Sequence, residues 1–252
     1  MEGLPLDLPA RATKPREQGI THVLDRGLAI AEVDNLIEVA GESVDIVKLG
    51  WGTALATANL EPKLERYRAH GIPVVLGGTL TELAIQQGRV DELARWLDRL
   101  QIAHVEVSDG TITLEHDRKL ELITRLADSF TVLSEVGSKD AAHVMAPYRW
   151  VEQIEAELEA GAWKVICEAR ESGTAGIARL DGELREGLID EIAHAVDPAR
   201  LVFEAPQKDQ QVHLLKRFGP DANLGNIAPG DVLALETMRL GLRSDTMGSD
   251  PQ

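Results

Sequence analysis

Short apolar, β-branched runs recur along this chain, and amphipathic stretches of helical period separate most of them. The runs are THVLD (21–25), IVKLG (46–50), PVVLG (73–77), HVEVS (104–108), TVLSEV (131–136), KVICEA (164–169), LVFEA (201–205) and ANLGN (222–226). The stretches DELARWLDRL (91–100), RKLELITRLA (118–127), WVEQIEAELEAGA (150–162) and LREGLIDEIAHAV (184–196) each carry one apolar face. Strands alternating with helices predict βαβ units around a parallel sheet. Eight such units in 252 residues match the size of a single (β/α)8 TIM-type barrel.

A doubly wound open sheet is the competing architecture. Its central strands are apolar on both faces, whereas here polar residues alternate with apolar ones toward the strand ends. In HVEVS, His104, Glu106 and Ser108 share one face and Val105 and Val107 take the other; in KVICEA, Lys164, Ile166 and Glu168 oppose Val165 and Cys167. A barrel uses both faces, packing one on its outer helices and lining its interior and mouth with the other. The barrel is expected over 14–243, after a flexible segment at 1–13 and before a disordered tail at 244–252.

The polar residues recur at one register: Lys48, Glu106, Glu135, Glu168 and Glu204, spaced by 58 (twice 29), 29, 33 and 36 residues. Each step is one or two βα units, so the four carboxylates converge at the carboxyl ends of the strands, where TIM-barrel active sites sit. Four carboxylates in a partly dry mouth repel one another and need cations. Lys48, Lys139 and Arg170 stand nearby in sequence. A cluster of oxygen ligands without His or Cys favours Mg²⁺, or Mn²⁺, over zinc.

Composition narrows the partners. The formal net charge is −16, with 26 Lys and Arg against 42 Asp and Glu. An acidic surface of this kind argues against nucleic acid and anionic membrane. There is no run of about 18 apolar residues and no apolar signal core near the start, so a cytoplasmic protein is expected. Cys167 is the only cysteine, which excludes an intrachain disulfide and a cysteine zinc site; its register makes it a packing residue. His22, His70, His116 and His194 read as structural or solvated, and His104 as a residue of the barrel floor. Thr79 with Glu82 reads as a capping box, and Asp181-Gly182 as a hairpin turn within a long segment, 169–184, that is either a small lid over the mouth or a surface excursion. After the last strand, GNIAPGDV places Gly225, Asn226 and a helix opening near Pro229 where barrels commonly bind phosphate; Arg170 is a further candidate, since Arg grips phosphate oxygens in pairs.

Specific segments also carry a resemblance. KLGWGT (48–53), GGTL (77–80), VEVSDGTI (105–112), SEVGSKD (134–140), EARESG (168–173), FEAPQKDQQ (203–211), KRFGP (216–220), NLGNI (223–227) and LETMRLGLRSDT (235–246) resemble the phosphosulfolactate synthase family. KPREQGITHVLDRG (14–27), which contains Arg26, resembles its N-terminal segment. The resemblance implies an (α/β)8 enzyme that adds sulfite to phosphoenolpyruvate with Mg²⁺ to give (2R)-phospho-3-sulfolactate, an opening step toward coenzyme M. It implies Glu106, Glu135, Glu168 and Glu204 around the metal, and Lys139 as the acid that protonates an enolate-like intermediate, with Lys48 as alternative acid or anion partner. Arg170, Gly225, Asn226 and Arg26 are then the substrate-binding set, and a homo-oligomer is expected. The chain departs from the family pattern at Ser108-Asp109-Gly110, at GSKD (137–140) and at HVMAPYRW (143–150). Two other readings keep the barrel: an enzyme that joins a different nucleophile to phosphoenolpyruvate or another enolisable acid, and a stress-related or binding protein without turnover.

Overall fold

The computed structural model describes residues 6–138 and 145–248. The predicted strands form at Thr21–Asp25 (β1), Ile46–Leu49 (β2), Val74–Leu76 (β3), His104–Val107 (β4), Thr131–Val136 (β5), Lys164–Cys167 (β6), Leu201–Glu204 (β7) and Leu224–Ile227 (β8). They pair in chain order, all parallel, and β8 closes on β1 to complete a barrel. The last strand begins two residues later than the ANLGN run, because Asn223 is spent below the sheet. Its Oδ1 accepts from Ile20 N at 3.0 Å and its Nδ2 donates to Leu201 O at 2.8 Å.

The outer helices are Ile30–Ala40 (α1), Thr53–Ala56 (α2), Leu60–Ala69 (α3), Thr79–Gln86 (α4), Val90–Arg99 (α5), His116–Ala127 (α6), Pro147–Glu159 (α7), Glu186–Ala195 (α8), Lys208–Phe218 (α9) and Val232–Arg239 (α10). Two separate apolar clusters result from the alternation of each strand. Val47, Val105, Val132, Val165, Cys167 and Phe203 point outward into the larger core against the helices. Ile20, Ile46, Val75, Leu133, Ile166 and Val202 form a smaller cluster that fills the barrel. Cys167 is fully buried in the outer core. Burial, and secondarily Glu204, push its thiol up from the ordinary value, so it packs and stays un-ionised. Among the described residues no helix is long and apolar enough to cross a membrane.

The excursion after β6 forms the expected hairpin. Ala178 pairs antiparallel with Leu184, and Arg179 N donates to Glu183 O at 2.8 Å across the Asp181-Gly182 turn. It is packed down rather than standing clear. Ala175, Ile177 and Ala178 are buried, and Gln210 Nε2 on α9 donates to Gly173 O (2.8 Å) and Gly182 O (2.9 Å). Pro229 opens a short turn, Pro229–Asp231, that leads into α10, as its fixed φ favours. The Thr79–Glu82 capping box does not form. The α4 N-cap is Gly78 and no side chain caps it, because Glu82 is committed to the loop after β4.

Gly176 holds the excursion against β6. Its φ is +55°, and a Cβ there would lie 1.9 Å from Glu168 O. Gly176→Ala is expected to cost about 1–3 kcal/mol from the left-handed backbone alone, read as a lower urea midpoint at unchanged m-value; a wild-type midpoint would show that the segment relaxes freely.

Candidate active site

The predicted carboxylates face inward at or just past the carboxyl ends of their strands. Glu106, Glu135, Glu168 and Glu204 are all at most 3 % exposed, and they surround Lys48, itself 5 % exposed. Lys48 Nζ lies 3.2 Å from Glu204 Oε1 and 3.3 Å from Glu106 Oε2. Glu106 Oε1 accepts from Gly78 N at 2.5 Å, Glu204 Oε2 from Ala169 N at 2.9 Å, and Glu168 Oε1 from Arg170 N at 2.5 Å. Gly78 can be nothing larger, since a Cβ would sit 2.1 Å from Ser108 Oγ.

Burial alone would lower the Lys48 pKa, but Glu106, Glu204, Glu135 and Glu168 together outweigh it and raise the ammonium above its ordinary range. Lys48 is therefore a charged anchor at neutral pH. One layer below, His22 is fully buried. Burial first, then Lys48, holds it well below the usual histidine range, so its ring is neutral. Gly225 faces inward beside it: a Cβ there would approach Val202 Cγ1 at 3.1 Å and His22 Nδ1 at 3.3 Å. The glycine makes room for the imidazole from within β8.

Above the carboxylates opens a cavity of ≈ 250 Å³, lined by Lys48, the four Glu, Trp51, Thr111, Arg170 and Asn226 among others. Trp51, Arg170 and Asn226 have positive φ (55°, 66° and 56°) despite carrying side chains. Backbone strain of this kind concentrates at ligand sites. The Asn226 Oδ1 is buried and accepts no hydrogen bond among the described residues. Arg170 is exposed at the rim. Arg26, also exposed, lies with its guanidinium carbon 5.2 Å from the Trp51 ring centroid. Lys139 lies outside the described residues.

The donor set is chemically suited to a hard cation: carboxylates and one amide oxygen, with no thiolate near. Among the described residues, however, no group of three or more Asp, Glu, His and Cys is set to hold a metal ion. The Lys48 ammonium stands between Glu106 and Glu204.

Several contributors escaped the sequence reading. Glu82 on α4 accepts from Ser108 Oγ, Thr111 Oγ1 and Thr111 N, fixing the loop after β4. Buried Lys119 on α6 donates to Glu135 O at 2.6 Å and lies 3.0 Å from Asp109 and 2.8 Å from Glu157. Asp25, at the end of β1, meets Lys63 Nζ at 2.6 Å and Tyr67 O–H at 3.0 Å. No spacing rule announces these groups, since each pairs elements far apart in the chain.

The family model for (2R)-phospho-3-sulfolactate synthase (ComA) matches residues 9–245. The chain belongs to this family. It is 43 % identical over 249 residues to the phosphosulfolactate synthase of Bacillus subtilis, covering 98 % of this chain and 99 % of that one. It is 41 % identical over 246 residues to that of Methanothermobacter thermautotrophicus, covering 95 % of each. Members of the family are enzymes, and so is this chain. Among solved structures, 3-keto-L-gulonate-6-phosphate decarboxylase from Vibrio cholerae superposes with a TM-score of 0.55 at 11 % identity, covering 88 % of this chain and 97 % of that one. At that identity the likeness is one of fold.

Lys48→Met tests the electrostatics of the synthase-family site. A raised lysine contributes stability that is fully present below its unfolded value and is lost only as pH rises through the folded one, so it acts in full at neutral pH. Its removal leaves carboxylates that repel more as they ionise. With a chelator present, the variant is expected to lose about 3–5 kcal/mol near pH 8 and distinctly less near pH 5, by thermal unfolding. Equal losses at both pH values would show that Lys48 matters through packing alone.

Proposed function

We propose that this enzyme adds sulfite to phosphoenolpyruvate with Mg²⁺, giving (2R)-phospho-3-sulfolactate. The observation that carries the reading is near-full-length similarity to proteins named phosphosulfolactate synthase, in a chain whose barrel mouth gathers four buried carboxylates around one ammonium. The acidic chain and the absence of a membrane-crossing helix among its described residues support a cytoplasmic setting.

In this scheme the sulfite sulfur attacks the methylene carbon of phosphoenolpyruvate. The carbon–sulfur bond forms, and the electron pair of the double bond moves toward the carboxylate, giving an enolate-like dianion. A proton delivered to the neighbouring carbon completes the addition. Glu135 and Glu168 would hold Mg²⁺, which when bound supplies Lewis-acid stabilisation of the charge on the substrate carboxylate. Glu106 and Glu204 hold Lys48, whose fixed positive charge attracts the anionic substrate. Arg170 and Arg26 at the rim, with the Asn226 corner, receive the phosphate; Gly225 shapes the barrel beneath them.

The proton is assigned to Lys139. What supports this is its place three residues after Val136, just past β5 and its Glu135, and the unsuitability of Lys48, which two carboxylates hold protonated. The described histidines offer no better donor, His22 being neutral and sealed below the site.

Incubation with phosphoenolpyruvate, sulfite and Mg²⁺, followed by ³¹P NMR, should show a new phosphate-ester resonance that requires sulfite. Glu135→Gln should lower the rate about 10–100-fold, as loss of a metal-site carboxylate does, with the fold intact. No sulfite-dependent product from wild-type protein would exclude the reaction.

Lys139→Met should depress kcat by about 10²–10⁴-fold, the usual worth of a general acid, with much less change in KM. A variant with normal kcat but weakened phosphoenolpyruvate binding would instead make Lys139 an anion anchor.

A further inference from the structure

Asp25 ends β1 on the helix-facing side, outside the barrel, and is completely buried. Its carboxylate takes four donors. Oδ1 accepts from Gly27 N and Leu28 N, both at 2.8 Å, and Oδ2 meets Lys63 Nζ at 2.6 Å and Tyr67 O–H at 3.0 Å. Lys63 and Tyr67 come from α3 and are themselves buried. The backbone oxygen of Asp25 also accepts from Gly50 N at 3.1 Å, which ties the end of β2 to the end of β1.

These bonds hold the residues on both sides of Arg26, and the start of the loop that carries Trp51. The outcome is a shelf at the rim: the Arg26 guanidinium over the Trp51 ring at 5.2 Å, with Trp51 lining the cavity above Lys48. Among the described residues no carboxylate pairs with Arg26. Stacking restrains its long side chain while leaving its planar donors available to an anion. A buried ion pair adds little net stability over apolar residues of similar size, so stability alone does not account for a carboxylate and a lysine sealed behind this loop.

We propose that Asp25, with Lys63 and Tyr67 behind it, is a positioning residue that sets the Arg26–Trp51 shelf to receive the phosphate or carboxylate end of the substrate. It acts only through the loop, and touches no reacting atom. The proposal rests on the reading of phosphoenolpyruvate as substrate.

Lys63→Met leaves a buried carboxylate without its cation and can unfold the chain. Tyr67→Phe is the gentler variant, since it deletes one hydroxyl and keeps every charge. For Tyr67→Phe, amide exchange at Gly27 and Leu28 should quicken, and the Kd for phosphoenolpyruvate, measured by calorimetry, should rise about 3–10-fold while kcat stays within about twofold, a small share of what misplacing a binding group can cost. Faster exchange or a lower Tm with an unchanged Kd would overturn the proposal and leave Asp25 a structural residue. Wild-type protein that binds phosphoenolpyruvate but forms no sulfite adduct would defeat the synthase reading alone, and the Kd comparison would still decide the role of Asp25. Wild-type protein that does not bind phosphoenolpyruvate would overturn both.

Discussion

Four carboxylates share one end of this barrel because a buried ammonium stands among them. Like charges held close together in a site of low dielectric repel strongly. Lys48 offsets that repulsion by pairing with Glu106 and Glu204 across the barrel interior. The same pairing divides the labour of the site. Two carboxylates, Glu106 and Glu204, are committed to holding a cation of the chain itself. The same two contacts hold the Lys48 ammonium in place inside the barrel.

Around this centre the mouth is held from behind. Loops over a parallel barrel have few backbone partners of their own, and here the outer helices supply them. Glu82 of α4 fixes the Ser108–Thr111 turn, Lys119 of α6 grips the backbone of Glu135, and Asp25 is clamped by α3. Buried polar groups that are fully bonded are rigid, because any displacement leaves a donor or acceptor unpaired in a low dielectric. The Asp25 clamp also ties Gly50, next to Trp51, whose backbone stays left-handed at the rim.

Much of this was legible without coordinates. The eight strands, the barrel and the inward register of Lys48, Glu106, Glu135, Glu168 and Glu204 follow from apolar alternation. A strand has a period of two and a βα unit has a nearly constant length. Cys167 reads as packing by the same rule, and Asp181-Gly182 forms the turn its chemistry favours. Thr79 and Glu82 went the other way. Their spacing fits a capping box, but Glu82 gains more from three donors on the loop after β4 than from a helix end. His22 likewise looked ordinary, and it became a sealed neutral ring against Gly225 only because the barrel closes there.

By itself, then, the sequence determined which residues point into the barrel and at what height. These are local properties of strand period and connection length. Tertiary structure decided which of those residues touch. Lys48 bridges β4 and β7 rather than standing free, Arg26 lies on Trp51, and three helices reach the rim through Lys63, Glu82 and Lys119. Such contacts join positions up to 156 residues apart. They depend on how far around the closed sheet each strand falls, and no local pattern encodes that distance.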